Sequence, residues 1–140
     1  MPRLSQLMVR TALVWLAIGY TFGGLVLSTK GVPLLPGLWA LRSAHIHVLL
    51  VGWTVQLACG VAFWILPRLA QGERGDERPV WGCYAAINIG VSLGVLQSVF
   101  AATAGWLRWL LLLVGALYLA AAALFLRHAW PRIRPFAVGA

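Results

Sequence analysis

The chain has 140 residues, 61% hydrophobic and 10% charged, with a mean hydropathy of +0.86, whereas soluble domains run to roughly half apolar and roughly a quarter charged. An ordinary soluble domain is therefore excluded, and the length leaves no room for a second large domain beside the apolar stretches. Eleven basic residues face three acidic ones, Glu73, Asp76 and Glu77, and their confinement to one short segment excludes a carboxylate pair for acid/base catalysis at membrane depth.

Cutting the chain at its charges leaves four uncharged runs, 11–29, 43–67, 79–107 and 109–126. A transmembrane helix needs roughly 20 mostly apolar residues, so each run can span, the last one lengthened by the stems of Arg108 and Arg127. The expected fold is all-α: a polytopic membrane protein of one domain, 1–140, with helices at about 7–29, 42–67, 79–104 and 106–128.

The first apolar stretch is too long for the core of a signal peptide and no small-residue cleavage site follows it, so 1–27 reads as a retained helix. It carries Gly19 and Gly23, a small-xxx-small pair that reads as helix packing. Gly31-Val32-Pro33 with Pro36-Gly37 marks a tight connection. The second helix opens with His45 and His47 and holds Gln56 and Cys59. The polar segment 72–79 leads to the third, with Cys83, Asn88, Gln97 and the pair Gly90/Gly94. Ala104-Gly105-Trp106 is so short a connection that the third and fourth helices form an antiparallel hairpin. The fourth holds Ala116 and Ala120 and leaves through His128, which reads as an interface residue.

Arg3, Arg10, Arg68, Arg74, Arg78, Arg127, Arg132 and Arg134 fall on the side of the termini, against Lys30, Arg42 and Arg108 on the other. The positive-inside rule then places both termini in the cytoplasm; the expected location is the inner membrane of a prokaryotic cell. The net charge of +8 reads as a topology signal and a contact surface for anionic lipid, not as a nucleic-acid footprint. Trp39, Trp106 and Trp109 at one boundary and Trp81 and Trp130 at the other fit aromatic belts. Trp15, Trp53 and Trp64 lie deeper, where they could pack between helices. Cys59 and Cys83 read as small buried hydrophobes without a role.

Intramembrane ionisable groups are rare and point to function, which singles out His45 and His47. Residues two apart on a helix differ by about 200°, so these imidazoles face nearly opposite ways and do not readily chelate one metal ion. They can serve two cavities, one on each face; the plainer reading is a pair of interfacial histidines bonded to headgroups or loop carbonyls.

The segment Ala44-His45-Ile46-His47-Val48-Leu49-Leu50-Val51-Gly52-Trp53, with Gly60 fifteen and Pro67 twenty-two residues after His45, resembles the tenth helix of haem-copper oxidase subunit I, of the cytochrome c oxidase and nitric oxide reductase superfamily. A related His-Ala-His opening occurs in nitric-oxide-response membrane haem proteins that share the fold. The resemblance covers one helix well and the other three in hydropathy. It implies that His45 and His47 are axial ligands to two haems on opposite faces. That subunit has three four-helix arcs about a pseudo-threefold axis, so a chain of one arc resembles a single repeat. A homotrimer would close the ring, each haem lying between His45 of one chain and His47 of its neighbour.

Two imidazoles leave iron no open position for oxygen, which favours a cytochrome for electron transfer or haem holding over a complete oxidase. Further histidines for a copper site and acids for a proton relay are missing from the spans. With no Cys-x-x-Cys-His the haem would be a non-covalent haem b. Arg42, one turn before His45, and Arg108 are candidates to pair its propionates, or plain interfacial anchors, and Gln97 is a candidate partner for an imidazole N–H. The redox partner is not legible. Two other readings stay open: a non-catalytic interaction or copper-binding subunit of a larger membrane complex, and a gas or redox sensor.

Overall fold

The protein is described from a computed structural model, which covers residues 1–32, 36–68, 74–100 and 105–133. All regular structure among them is helical. Four helices are long and apolar enough to cross a membrane: α1 (Arg3–Gly31), α2 (Gly37–Ile65), α3 (Arg78–Phe100) and α4 (Gly105–Arg132).

The ends of these helices depart from the sequence expectation for local reasons. α1 begins at Arg3 rather than near residue 7, directly after Pro2, whose extended ψ of 152° places it outside the helix. Its first turn is held by burial: Leu4 and Met8 pack with Phe63 and Val80 in one cluster, and Ser5 Oγ donates to the Gly60 carbonyl at 2.6 Å. α2 ends at Ile65, short of Pro67. Leu66 precedes that proline and turns to φ −56°, ψ 140°, as the clash between the proline ring and the preceding backbone requires. α3 is described to Phe100, so the expected stretch 101–104 lies outside the described residues. α4 opens with a 3-10 turn, Gly105–Trp109, and closes with another, Trp130–Arg132.

α2 is not uniform. A short α segment, Leu41–Ile46, passes into a π-helix over His47–Val55 before α geometry resumes at Gln56–Ile65. π segments are rare and concentrate at functional sites; this one starts on His47.

All four helices are apolar around most of their circumference, so exposed leucines such as Leu112 and Leu119 face outward where a soluble helix would carry charge. α1 packs along α2, α2 against α3, and α3 along the length of α4. The central core joins Val48, Cys83, Ile87, Val91 and Ala121, with Trp15 and Tyr118 against it. Two tryptophan expectations separate here. Trp15 packs inside, but Trp64 is 48% exposed, because it lies on the outward face of α2, away from the clusters that its neighbours Cys59 and Phe63 join.

Without water, helices in a bilayer are joined by packing and by polar side chains that satisfy each other. Asn88 is the centre of such a network. Its Oδ1 accepts from Trp15 Nε1–H at 2.8 Å, and its Nδ2 donates to Gln56 Oε1 and to the Tyr84 carbonyl, both at 2.8 Å. Gln56, fully buried, donates onward to the Met8 carbonyl at 3.2 Å. α1, α2 and α3 are thus locked in register by one amide. Asn88→Ala strands the Trp15 N–H and the Gln56 carbonyl oxygen, and should cost about 1–3 kcal/mol, read as a lower unfolding midpoint in detergent. Thr21→Val is the reference, since that hydroxyl bonds only to Ala17 of its own helix, and should change little.

Candidate functional site

His45 and His47 lie at the end of the bundle opposite the chain's N-terminus, and as their angular offset requires, they turn to different neighbours. His45 faces α1: its Nδ1 lies 2.8 Å from the Gly19 carbonyl oxygen. His47 faces α3 and α4: its Nδ1 lies 3.1 Å from Tyr118 Oη.

A glycine seats each ring. A Cβ on Gly23 would come 2.7 Å from His45 Cε1, and one on Gly94 would come 3.0 Å from His47 Cγ. Gly90 does the same for the Tyr118 ring, with 2.6 Å to Cε1. The two small-xxx-small pairs therefore pack helices by admitting side chains, rings at Gly23, Gly90 and Gly94 and Leu49 at Gly19. Gly52, inside the π segment, gives the Trp15 ring its room in the same manner.

The hydrogen bond of His45 has a chemical consequence. A backbone carbonyl can only accept, so Nδ1 must carry the proton, and in the neutral imidazole the lone pair then sits on Nε2. This is how ligating histidines are oriented, with the distal N–H given to a carbonyl and the other nitrogen turned to the metal. For His47 the hydroxyl of Tyr118 can give or take the proton. When Nδ1–H donates to Tyr118 Oη, Nε2 of His47 is equally available. Among the described residues no three His, Cys, Asp or Glu side chains converge, so each imidazole faces its surroundings singly.

His45 also borders an open groove of about 300 Å³ with Ile46, Leu49, Leu50 and Thr54. Ile46 and Leu50 are half exposed or more, so this wall is apolar and lies on the outside of the chain. Arg42 and Arg108 are exposed at the same end, their guanidinium groups 5.6 Å and 5.9 Å from the Trp39 and Trp109 rings. Gln97 is buried in α3, but the imidazole Nδ1 atoms are bonded to Gly19 and Tyr118 instead of to it.

The sequence marks Gly19 and Gly23 for helix packing and not as neighbours of an imidazole. Tyr118 belongs to no motif. Gly23 could have been found by hairpin arithmetic: it lies eight residues before the end of α1 and His45 eight after the start of α2, so antiparallel neighbours bring them to one depth.

Cys59 and Cys83 are free thiols packed in the central core, and both line an apolar cavity of about 200 Å³ with Val55 and Tyr118. At the opposite end, His128 is buried rather than at the interface expected of it. Its ring lies 5.2 Å from that of Phe63, its Nδ1–H donates to the Asp76 carbonyl, and its Nε2 accepts from Arg132. Comparison of the chain with protein-family models, curated proteins and solved structures finds no match.

Proposed function

We propose that this is an integral-membrane b-type haem-binding protein whose iron is ligated by His45 and His47, serving electron transfer or haem holding. The proposed assembly is a homotrimer in which His45 of one chain and His47 of its neighbour flank each haem, with both termini in the cytoplasm of a prokaryotic cell. The observation that carries the ligand assignment is the 2.8 Å bond from His45 Nδ1 to the Gly19 carbonyl, which fixes the tautomer that a metal-ligating imidazole needs.

The donor set fits the group. Imidazoles turned to opposite sides of α2, one toward α1 and one toward α3 and α4, suit two separate sites, and the apolar groove beside His45 suits a macrocycle edge. When bound, a b-type haem supplies a one-electron iron couple. The chain's own part is to hold the imidazoles. Gly23 and Gly94 admit the rings, the Gly19 carbonyl and Tyr118 set their rotation, and Ile46, Leu49 and Leu50 keep water from the groove. Arg42 and Arg108 are the residues that would pair the propionates.

The test is the spectrum of protein purified from haem-sufficient cells. A Soret band and a reduced-minus-oxidised b-type spectrum are expected, both lost in His45→Ala and in His47→Ala. Native mass measurement should show a trimer with one haem per chain, and carbon monoxide should leave the reduced spectrum unchanged. Copper without haem, or no Soret band, overturns the reading; a stable monomer with full haem removes the shared site, and carbon monoxide binding moves the assignment to a sensor.

A further inference from the structure

Where the 74–79 segment meets the end of α4, a pocket of about 170 Å³ is walled by Arg74, Arg127, His128 and Arg132, with Asp76 the one carboxylate at its walls among the described residues. We infer that this pocket binds a phosphate oxyanion, carried by a phospholipid headgroup or free in solution. The inference is independent of the haem reading, since it lies at the other end of the bundle.

Positive charge outweighs negative charge around this pocket. Arg132 is 1% exposed, and its guanidinium donates to the carbonyls of Pro67 and Leu66 at 3.0 Å and 2.7 Å. It also donates to His128 Nε2 at 2.7 Å. Because that nitrogen accepts and Nδ1–H donates to the Asp76 carbonyl, His128 is neutral and offers no counter-charge. Arg74 crowds the same place. Both guanidinium groups lie over the Phe63 ring, 5.8 Å and 5.7 Å from its centre, and both donate to the Phe63 carbonyl at 3.4 Å.

The carboxylate of Asp76 is engaged elsewhere, accepting from the Arg78 backbone N–H at 2.9 Å. Among the described residues no acid forms an ion pair with Arg74, Arg127 or Arg132. Pro79, in the first turn of α3, is part of the pocket wall, so the positive end of a long helix adds to the field. Gly75, at a positive φ of 76°, bends the segment over the pocket. Three arginines stand against a neutral histidine, the occupied Asp76 and Glu77, whose charge acts on both Arg132 and His128, and the positive charge left over is matched by a phosphate in charge and, at Arg74 and Arg127, in guanidinium geometry. Exposed Trp81 and Trp130 at the same end place it at headgroup level.

The test uses the full chain in detergent. Retained lipid is counted by native mass measurement after exposure to phosphatidylglycerol or phosphatidylcholine, and the unfolding midpoint is followed with inorganic phosphate against chloride at equal ionic strength. The wild type should retain phosphatidylglycerol about tenfold in preference to phosphatidylcholine. Arg74→Gln with Arg127→Gln should abolish the preference, while Arg3→Gln with Arg10→Gln, an equal loss of charge at the same end, should keep it. A midpoint raised by inorganic phosphate in the wild type and not in the Arg74/Arg127 variant, without lipid preference, assigns the site to a free anion. Neither response in the wild type, or equal loss in both double variants, overturns the proposal. Should the Arg74/Arg127 variant not fold, Arg127→Gln alone, an exposed side chain, is read against Arg3→Gln by the same measurements.

Discussion

Gly23→Val is expected to lower the haem content of the purified protein by about tenfold or more, the loss that roughly 1.4 kcal/mol of weakened binding produces. A Cβ at this position would stand 2.7 Å from Cε1 of His45, closer than real Cβ contacts come, and a tight 3.1 Å from its Nδ1. Valine adds two further methyl groups. The ring must leave its seat, and with it goes the bond to the Gly19 carbonyl that holds the lone pair on Nε2. The neighbouring position supplies the control. A Cβ on Gly24 meets nothing within 4 Å, so Gly24→Val makes the same change of helix propensity on the open face and should keep its Soret band. Equal haem content in the two variants would contradict the assignment of His45 as a ligand.

Arg132→Met is expected to give the largest loss of stability from one residue in this chain. The apolar stem is kept, but the guanidinium is removed from a site where it donates to Phe63, Leu66 and Pro67 carbonyls and to His128. The Phe63 carbonyl belongs to the last turn of α2 and those of Leu66 and Pro67 to the residues just past it, where ladder bonds run out and the helix dipole is negative. Bonds from a charged donor contribute about 1.5–3 kcal/mol each and do not add fully, so a total near 3–4 kcal/mol is expected. Denaturant or thermal unfolding in detergent measures it. Arg132→Lys should recover part of the loss, because a point charge cannot fork across several carbonyls.

What a sequence can carry of this structure depends on what each residue competes against. The four spans were legible because charge is so costly in a bilayer that uncharged runs of this length have one common use. The opposed directions of His45 and His47 were legible because helical geometry alone sets them. The depth of Trp64 and the burial of His128 and Arg132 were not. Lipid and protein interior are both apolar, so hydropathy cannot tell an outward face from an inward one. An arginine near a span end likewise looks the same whether it snorkels to water or caps a neighbouring helix. The π stretch of α2 has no composition of its own, and Tyr118 finds His47 only once α4 is folded back on α3.

α2 brings one imidazole to α1 and, two residues on, the other to α3 and α4. Both ride on one continuous stretch of helical backbone, so a turn of α2 that tightens the bond to Gly19 also moves the ring held by Tyr118. In the proposed assembly, ligation on the two sides would be thermodynamically linked, and a change in affinity caused at His47 by an event at His45 would be returned by the same factor. In the proposed ring each α2 belongs to two interfaces, so filling one site conditions the next around the circle: cooperativity would arise there from a spacing of two residues.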